Sequence, residues 1–370
     1  MGFFFMVQYN NKTVFSKLIE VINGNKLNYI INKYNSDYRI QHFNTKSHVF
    51  SMLYLQLSNT KSLRGLIDKL NYSPKLQRTV NVPSLSQLSR KNANRDYRIF
   101  EELYYSMINM AKKELGIKKS NEKFKEIKAF DSTVITIASS LAPELFFEGK
   151  SSGIKISTLL NISQSLPEKV NIVPAKINDR KCIDDFFDDK DTLYLFDRGY
   201  YNYNWYDNLT DNGYKFITRQ NTNAVIEEIR STYVENELVF DAEITLGTDY
   251  SKNKTHNKYR EILTFDEEGK EIRFLTNVFD IEAEEIMELY RLRWKIELFF
   301  KWVKQNLKIK KWLGHNQNAV KIQIYSALIS YVILALLKTR MKIKSSMISI
   351  SRIIEVNLLE ESSVLNLLSG

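Results

Sequence analysis

Apolar residues recur along this chain at two periods, and the change of period divides it. Between residues 13 and 115 they fall at steps of three and four, in segments 13–23, 45–57, 61–70 and 84–115. That is the repeat of a helix with one buried face. Gly24, Pro74 and Pro83 separate the segments, and Pro83 followed by Ser84 is a helix-start signal. The Asn-rich run NGNKLNYIINKYN reads as the residue usage of an AT-rich genome rather than a prion-like tract. From residue 127 the period shortens to two. IKAFDSTVITI, GIKISTLLNIS, KVNIVPAKI and TLYLFDRGY read as four strands, punctuated by Gly153 and Pro167. An aromatic helix, YYNYNWYDNL, follows; then YKFITRQ, LVFDAEITLG, YREILTF and EIRFLTNVF read as strands again.

Three closely linked strands, a helical patch near 180–188 and a fourth strand form the opening order of an RNase-H-like fold. The expected class is therefore α/β. It comprises an RNase-H-like catalytic core, a mixed sheet flanked by helices, in two parts at 121–213 and 281–345. A β-rich insertion at 214–280 precedes the helix that carries Glu297. Residues 1–120 form an N-terminal helical domain, and 346–370 a C-terminal tail.

Composition narrows the classes. A chain of 370 residues can hold two or three domains. Its 44% hydrophobic and 12% aromatic content excludes a disordered chain. A lone Cys182 excludes an internal disulfide framework and a Cys-rich zinc site. Walker, GxGxxG, HExxH and CxxC patterns are absent, which leaves nucleotide hydrolysis and zinc chemistry unsupported. GFFFMV is too short for a secretory h-region and has no basic segment before it. The most apolar helix, Ile322 to Leu337, contains Gln323, Ser326 and Ser330 and falls short of the roughly 20 residues of a membrane span. It reads as a buried core helix, and the chain as soluble and cytoplasmic, with no membrane partner. The net charge is +10, yet residues 1–120 hold 19 Lys and Arg against 7 Asp and Glu. The remaining residues are slightly acidic, so the basic N-terminal part is the half that would face DNA.

Candidate chemistry concentrates in LYRLRWKIELFFKWVKQNLKIKK, residues 289–311. Read as one helix at about 100° per residue, Tyr290, Arg293, Glu297 and Lys304 project within an arc of roughly 60°. Leu289, Leu292, Ile296, Phe299 and Val303 line an adjacent arc, and Lys301 and Lys308 broaden the basic face. A salt-bridged surface helix would carry the same pattern. Two acids upstream weigh against that: Asp131 closes the apolar run Ile127–Phe130, and Asp197 closes Leu193–Phe196. A carboxylate there is costly unless it is paired or binds a metal, although Asp131 could cap a turn and Asp-Arg-Gly is a common turn. Phosphodiester cleavage by two Mg²⁺ ions bridged by carboxylates gives such acids a purpose. Asp184, Asp185, Asp188, Asp189 and Asp191 read as a solvated face. His315 could approach the site but is more often structural, while His42, His48 and His256 lie in polar sequence. Trp205 and the tyrosines after Asp197 read as helix core more than as a stacking platform for a displaced base.

Tyr-x2-Arg-x3-Glu-x6-Lys resembles the signature of the IS-four insertion-sequence family of DDE transposases. The likeness extends through AFDS at 129–132, FDRGY at 196–200 and WLGHN at 312–316, and weakly through SLSQLSRKNANRDYRIFEELYY; it covers about residues 85–340. The resemblance implies that Asp131, Asp197 and Glu297 are both catalytic triad and metal ligands. They would hold two Mg²⁺ ions, for which Mn²⁺ could substitute. It implies DNA contacts from Tyr290, Arg293, Lys304, Lys301, Lys308 and Arg198. The implied partners are double-stranded DNA, as terminal inverted repeats and target, and a second copy of the chain in the DNA complex. It also implies cut-and-paste transposition through a hairpin. On the residues alone two other functions stay open: an RNase-H-like nuclease without strand transfer, and a catalytically silent, host-adopted DNA-binding protein. For residues 1–120 an end-recognition domain and a helical cap on the core are both compatible.

Overall fold

The computed structural model describes residues 12–116, 123–137, 152–177, 183–233, 240–250, 253–306, 312–314 and 316–369. The chain divides into two compact units. One comprises Met1–Leu115, Ile135–Ile154 and Phe300–Gly370; the other comprises Gly116–Val134 and Lys155–Phe299.

The first unit is helical. Its N-terminal part contains α1 (Val14–Ile19), α2 (Gly24–Lys33), α3 (Thr45–Leu57), α4 (Leu63–Tyr72), α5 (Pro74–Gln77), α6 (Leu85–Asn94) and α7 (Arg98–Leu115). The first six share one start device. Thr13, Asn23, Asn44, Ser62, Ser73 and Ser84 each accept the amide hydrogen of the residue three positions on, which satisfies one of the orphan donors of a first helical turn. Ser84 starts a helix as expected. The Asn-rich run, by contrast, forms α2, because Asn23 caps it and Leu27, Ile30 and Ile31 give it a buried stripe. The segment 84–115 is two helices, not one: Arg95 ends α6, and Asp96 accepts the Arg98 amide at 2.9 Å.

His48 overturns its expectation of polar surroundings. Its sequence neighbours are polar, but α3 is buried on every side and the imidazole is 0% exposed, between the rings of Phe43 and Phe100. Neither ring nitrogen has a hydrogen-bond partner. Burial holds its pKa well below the usual value, and the charges of Arg95 and Lys91 add to that.

After α8 (Tyr203–Asp211), α9 (Ala283–Arg291) and α10 (Trp294–Asn306), the chain ends with α11 (Gln317–Arg340), α12 (Met347–Asn357) and α13 (Val364–Ser369). The 24 residues of α11 exceed the 16 expected and are long and apolar enough to cross a membrane by composition. Its most apolar window is nonetheless 94% buried, against α3, α6, α7 and α12. The hydroxyls that cut across the apolar pattern are satisfied within the helix: Ser326 and Ser330 donate to the carbonyls of Ile322 and Ser326 at 2.7 and 2.8 Å.

The second unit is built on one mixed sheet. Its strands are β1 (Glu126–Ile137), β2 (Ser152–Asn161), β3 (Leu166–Pro174), β4 (Thr192–Phe196), β5 (Lys215–Arg219), β6 (Ile226–Tyr233), β7 (Phe240–Leu246), β8 (Tyr259–Phe265) and β9 (Glu271–Thr276). Their order is β3-β2-β1-β4-β5-β9-β8-β7-β6. β1, β4 and β5 pair in parallel, and β5 to β6 through β9, β8 and β7 pair antiparallel. This is the expected RNase-H-like α/β core. The helical patch near 180–188 reduces to one 3₁₀ turn, Asp184–Phe186, with 178–182 outside the described residues. Alternation gives β1 and β4 two different faces. Phe130, Tyr194 and Phe196 join Trp205, Tyr206 and Phe216 in an aromatic core, while Ile127, Ala129, Leu193 and Leu195 face the other way.

Two expectations about the acids' surroundings change. β1 runs on to Ile137, so Asp131 lies within the strand, where its pairing with β4 stops, and not at its end. The stretch 289–311 is not one helix. Leu292 and Arg293 form a turn in which their amides bond to Leu289 and Tyr290 at 3.1 and 2.9 Å, an i to i−3 tightening. Tyr290 ends up on α9, Arg293 in the turn, and Glu297 and Lys304 on α10, so a single wheel does not describe them.

Candidate active site

The parallel register brings the two aspartates together. The β1–β4 ladder ends where Ala129 pairs with Leu195. Asp131 and Asp197 lie two residues beyond it on their strands, on the face of Ala129 and Leu195 by alternation, and near enough for the Asp197 charge to act on the Asp131 carboxyl. Each is fixed by the amide that follows it: Asp131 Oδ1 accepts from Ser132 N at 2.7 Å, and Asp197 Oδ1 from Arg198 N at 2.8 Å. The Ser132 hydroxyl lies 2.9 Å from Ser157 Oγ and accepts from Tyr200 Oη at 3.0 Å. That chain of hydroxyls ties β2, β1 and the turn after Asp197 into one support.

Arg293 brings in the third acid. Its Nη1 lies 3.7 Å from Asp131 Oδ2, and its Nη2 donates to Glu297 Oε1. The guanidinium is 14% exposed and sits over the ring of Tyr290. Tyr290 is itself buried and packs edge-on against Phe274 at 5.2 Å. Tyr290 Oη and Arg293 Nε are buried without a hydrogen bond of normal geometry.

One guanidinium does not balance three carboxylates. Burial, and then the charges of Asp197 and Glu297, push the Asp131 carboxyl up to about 6, although the Ser132 amide and Arg293 pull the other way. Burial works against the Arg293 cation, but Tyr290, Asp197 and Glu297 outweigh it and hold its pKa above the usual value. Burial raises the Tyr290 hydroxyl as well, with Asp197 adding and Arg293 and Arg219 opposing.

Among the described residues no three His, Cys, Asp or Glu groups converge closely enough to share one ion; Glu297 is turned to Arg293. The donor set still fits a hard divalent cation. All three groups offer oxygen alone, which suits magnesium or manganese rather than a soft metal. The like charge that lifts Asp131 is what such a cation relieves.

Arg198 is exposed on the turn after Asp197. Lys301 and Lys304 are exposed on α10, one and two turns beyond Glu297, in the part assigned to the helical unit. Lys308 and His315 lie outside the described residues. Among the decoy acids, Asp188 pairs with Lys169 at 2.9 Å and Asp189 with Lys125 at 3.2 Å. Trp205 and Tyr206 are core, 4% and 0% exposed. Sequence reasoning passed over two residues. Trp294 is 59% exposed at the start of α10. Arg219 continues the β4–β5 register beside Asp197. An apolar residue exposed next to a candidate acid is a usable signal for the first; only strand register reveals the second.

Residues 122–333 match the family described as Transposase DDE domain, and residues 10–80 a Domain of unknown function (DUF4372). The chain is 28% identical over 258 residues to transposase y4zB of Sinorhizobium fredii, covering 68% of this chain and 71% of that one. It is 27% identical over 270 residues to a transposase for insertion sequence element IS5377 of Geobacillus stearothermophilus, covering 72% and 70%. It is 28% identical over 322 residues to a transposase for insertion sequence element IS4SA of Synechocystis, covering 84% and 86%. A cryo-EM structure of a piggyBac transposase synaptic complex with hairpin DNA aligns over 96% of this chain and 81% of that one, at TM-score 0.49 and 10% identity.

Proposed function

Because the chain belongs to the Transposase DDE domain family, whose members are metal-dependent enzymes of DNA cleavage and transfer, we propose that it is the transposase of a bacterial insertion sequence of the IS-four branch. It binds the element's terminal repeats in the cytoplasm, cuts there and joins the freed 3′ ends to target DNA as a homodimer. The observation that supports the reading is the row of acids: Asp131 and Asp197 follow directly where the β1–β4 ladder ends, and Arg293 joins Asp131 to Glu297. The complete Tyr290, Arg293, Glu297, Lys304 spacing supports the branch.

Asp131, Asp197 and Glu297 would hold the Mg²⁺ ions. When bound, these supply charge neutralisation at the leaving oxygen and an activated attacking oxygen. The rest falls to the chain's own groups. The Ser132 and Arg198 amides and the Tyr200–Ser132–Ser157 hydroxyls keep the two aspartates from turning away. Arg293 and Tyr290 hold backbone phosphate beside them, the guanidinium through paired donors. Lys301, Lys304, Lys308 and Arg198 add phosphate contacts that position the duplex without reading its sequence.

DNA carrying the element's ends tests this in Mg²⁺. Asp131→Asn, Asp197→Asn and Glu297→Gln are expected to lose cleavage while still binding ends; a triad variant that cleaves normally removes the assignment. Ends that are cut but never joined to target would indicate a nuclease.

A further inference from the structure

A second concentration of polar side chains lies among the N-terminal helices, and it differs in kind from the acids. A groove of about 480 Å³ has Gln41, His42, Gln77, Asn81, Val82 and Gln87 in its lining. Four of these are carboxamides and none is a carboxylate. The chain around them is strongly cationic: from Arg39 to Arg95 it carries ten Lys and Arg and a single acid, Asp68. Gln41, His42 and Gln77 fall within residues 10–80, the part matched to a Domain of unknown function. The loops that form the groove are tied down in advance. Asn81 Nδ2 donates to the His42 carbonyl at 2.9 Å. Buried Arg95 donates to the carbonyls of Phe43 and Asn44 at 3.4 and 3.3 Å.

Hydrogen bonds within the fold decide which way the amides face. Gln77 Nε2 donates to the carbonyls of Leu70 and Asn71 at 2.8 and 3.0 Å. Both its hydrogens are spent, so exposed Gln77 offers an acceptor oxygen alone. Asn81 has spent one hydrogen in the same way and keeps its oxygen. The side chains of Gln41 and Gln87 have no partner among the described residues, so each can still donate and accept. Val82 is 39% exposed. Oriented acceptors, free amides and an exposed apolar side chain are the set that reads an A·T pair in the major groove. There adenine presents an amino hydrogen and N7, and thymine its methyl group. Surrounding cations serve the phosphates, which position the duplex without specifying it.

We propose that this groove reads the sequence of the terminal repeats at A·T pairs, through the major groove of duplex DNA. The Gln77 and Asn81 oxygens accept from adenine amino groups, Gln41 and Gln87 donate to N7, and Val82 meets a thymine methyl. For the source of that DNA the inference rests on the transposase reading above.

The test is selection by the full-length protein from a pool of randomised DNA duplexes. The selected motif is expected to carry adenines whose replacement by purine, which lacks the amino group, weakens binding about tenfold. Gln77→Ala is expected to lose that preference, to suffer no further loss with purine, and to bind random duplex as the wild type does. Val82→Ala should likewise become blind to uracil in place of thymine. Gln41→Ala and Gln87→Ala remove side chains that have no partner among the described residues. They should relax the motif too, and they decide the result if Gln77→Ala melts early. A wild type that selects no motif, or four variants that all select the wild-type motif, overturns the proposal; the second result would leave the groove to a protein partner. Adding Mg²⁺ to the selected duplexes separates the two readings. Cutting with unchanged preference in every variant removes the groove proposal alone. Adenine preference that is lost in Gln77→Ala, with no cutting by the wild type, supports the groove and removes the transposase reading.

Discussion

On one face of β1 the Lys128 ammonium lies 3.1 Å from Glu126 and 3.0 Å from Glu168, and Asn161 donates to both carboxylates at 2.9 and 3.1 Å. Three residues along and on the opposite face, Asp131 meets Asp197, Glu297 and a single guanidinium. The first set is buried, its charged side chains 3–8% exposed, and the second is half-buried, with Arg293, Asp131 and Glu297 at 14%, 21% and 34%. In the first, burial would strip Lys128 of its proton, but Glu168, Glu126 and Asp188 outweigh burial and hold its pKa above the usual value. The second leaves a carboxyl pushed up to about 6, and Tyr290 Oη and Arg293 Nε buried without a hydrogen bond of normal geometry. Closed charge networks belong to the architecture, because breaking one strands an ion in the interior. A cluster left open where the paired strands end marks where something else completes it.

Substitutions can separate the two faces. The largest effect belongs to the open one: Asp131→Asn, Asp197→Asn and Glu297→Gln should each lower the cleavage rate by ~10³-fold or more, since metal-borne charge stabilisation is worth several kcal/mol. Denaturant melts of Asp131→Asn should show stability unchanged or raised, because one of three mutually repelling charges is gone. A variant that both unfolds and loses activity would erase the distinction. On the closed face, Lys128→Met leaves two buried carboxylates facing each other, and unfolding free energy should fall by about 3–5 kcal/mol. The protein that remains folded should cleave at an unchanged rate.

His48 sharpens the comparison from a third side, as a polar group left unsatisfied but enclosed by rings. Its folded pKa is depressed, so above about pH 6.5 it is neutral whether folded or unfolded and has no effect. Below that pH the unfolded chain takes the proton and the folded chain does not. Stability should then fall by up to about 1.4 kcal/mol per pH unit. Urea midpoints at pH 7 and pH 5 should show the loss in the wild type and a smaller one in His48→Leu; equal slopes would refute it. The smallest effect is expected at exposed Lys304. Lys304→Ala should reduce the salt slope of end binding by about one and leave the melt unmoved.

Much of this was legible in the sequence, and the misses have identifiable causes. Asp131 and Asp197 stand out because acids following apolar strand residues are conspicuous, and Glu297 because its neighbours are spaced. The turn at Leu292–Arg293 is hidden, since no Gly or Pro marks it; it coincides with the position where Arg293 is drawn to Asp131 and Glu297. Arg219 is one of 53 Lys and Arg until a register places it. His48 is invisible because α3 is wrapped on all sides and presents no polar face for contrast. α2 is masked by its asparagines, although Asn23 is the very residue that starts it.

The helix α11 carries a consequence for how the protein is made. It packs against α3, α6 and α7, and bonds to them late: Tyr97 N donates to Asn318 Oδ1 at 3.0 Å, and Asn318 donates to the Arg95 carbonyl at 2.7 Å, across more than 220 residues. Until α11 is made, residues 12–115 hold apolar faces with no central helix to cover them. Completion therefore waits on a segment more than 220 residues downstream, a high-contact-order step that exposes nascent chains to chaperones and aggregation. Residues 12–115 made alone should bind a hydrophobic dye and melt without cooperativity; a sharp transition would show that they fold early. Transposase copies truncated upstream of Gln317 would on this account be lost to quality control rather than persist as stable end-binding competitors.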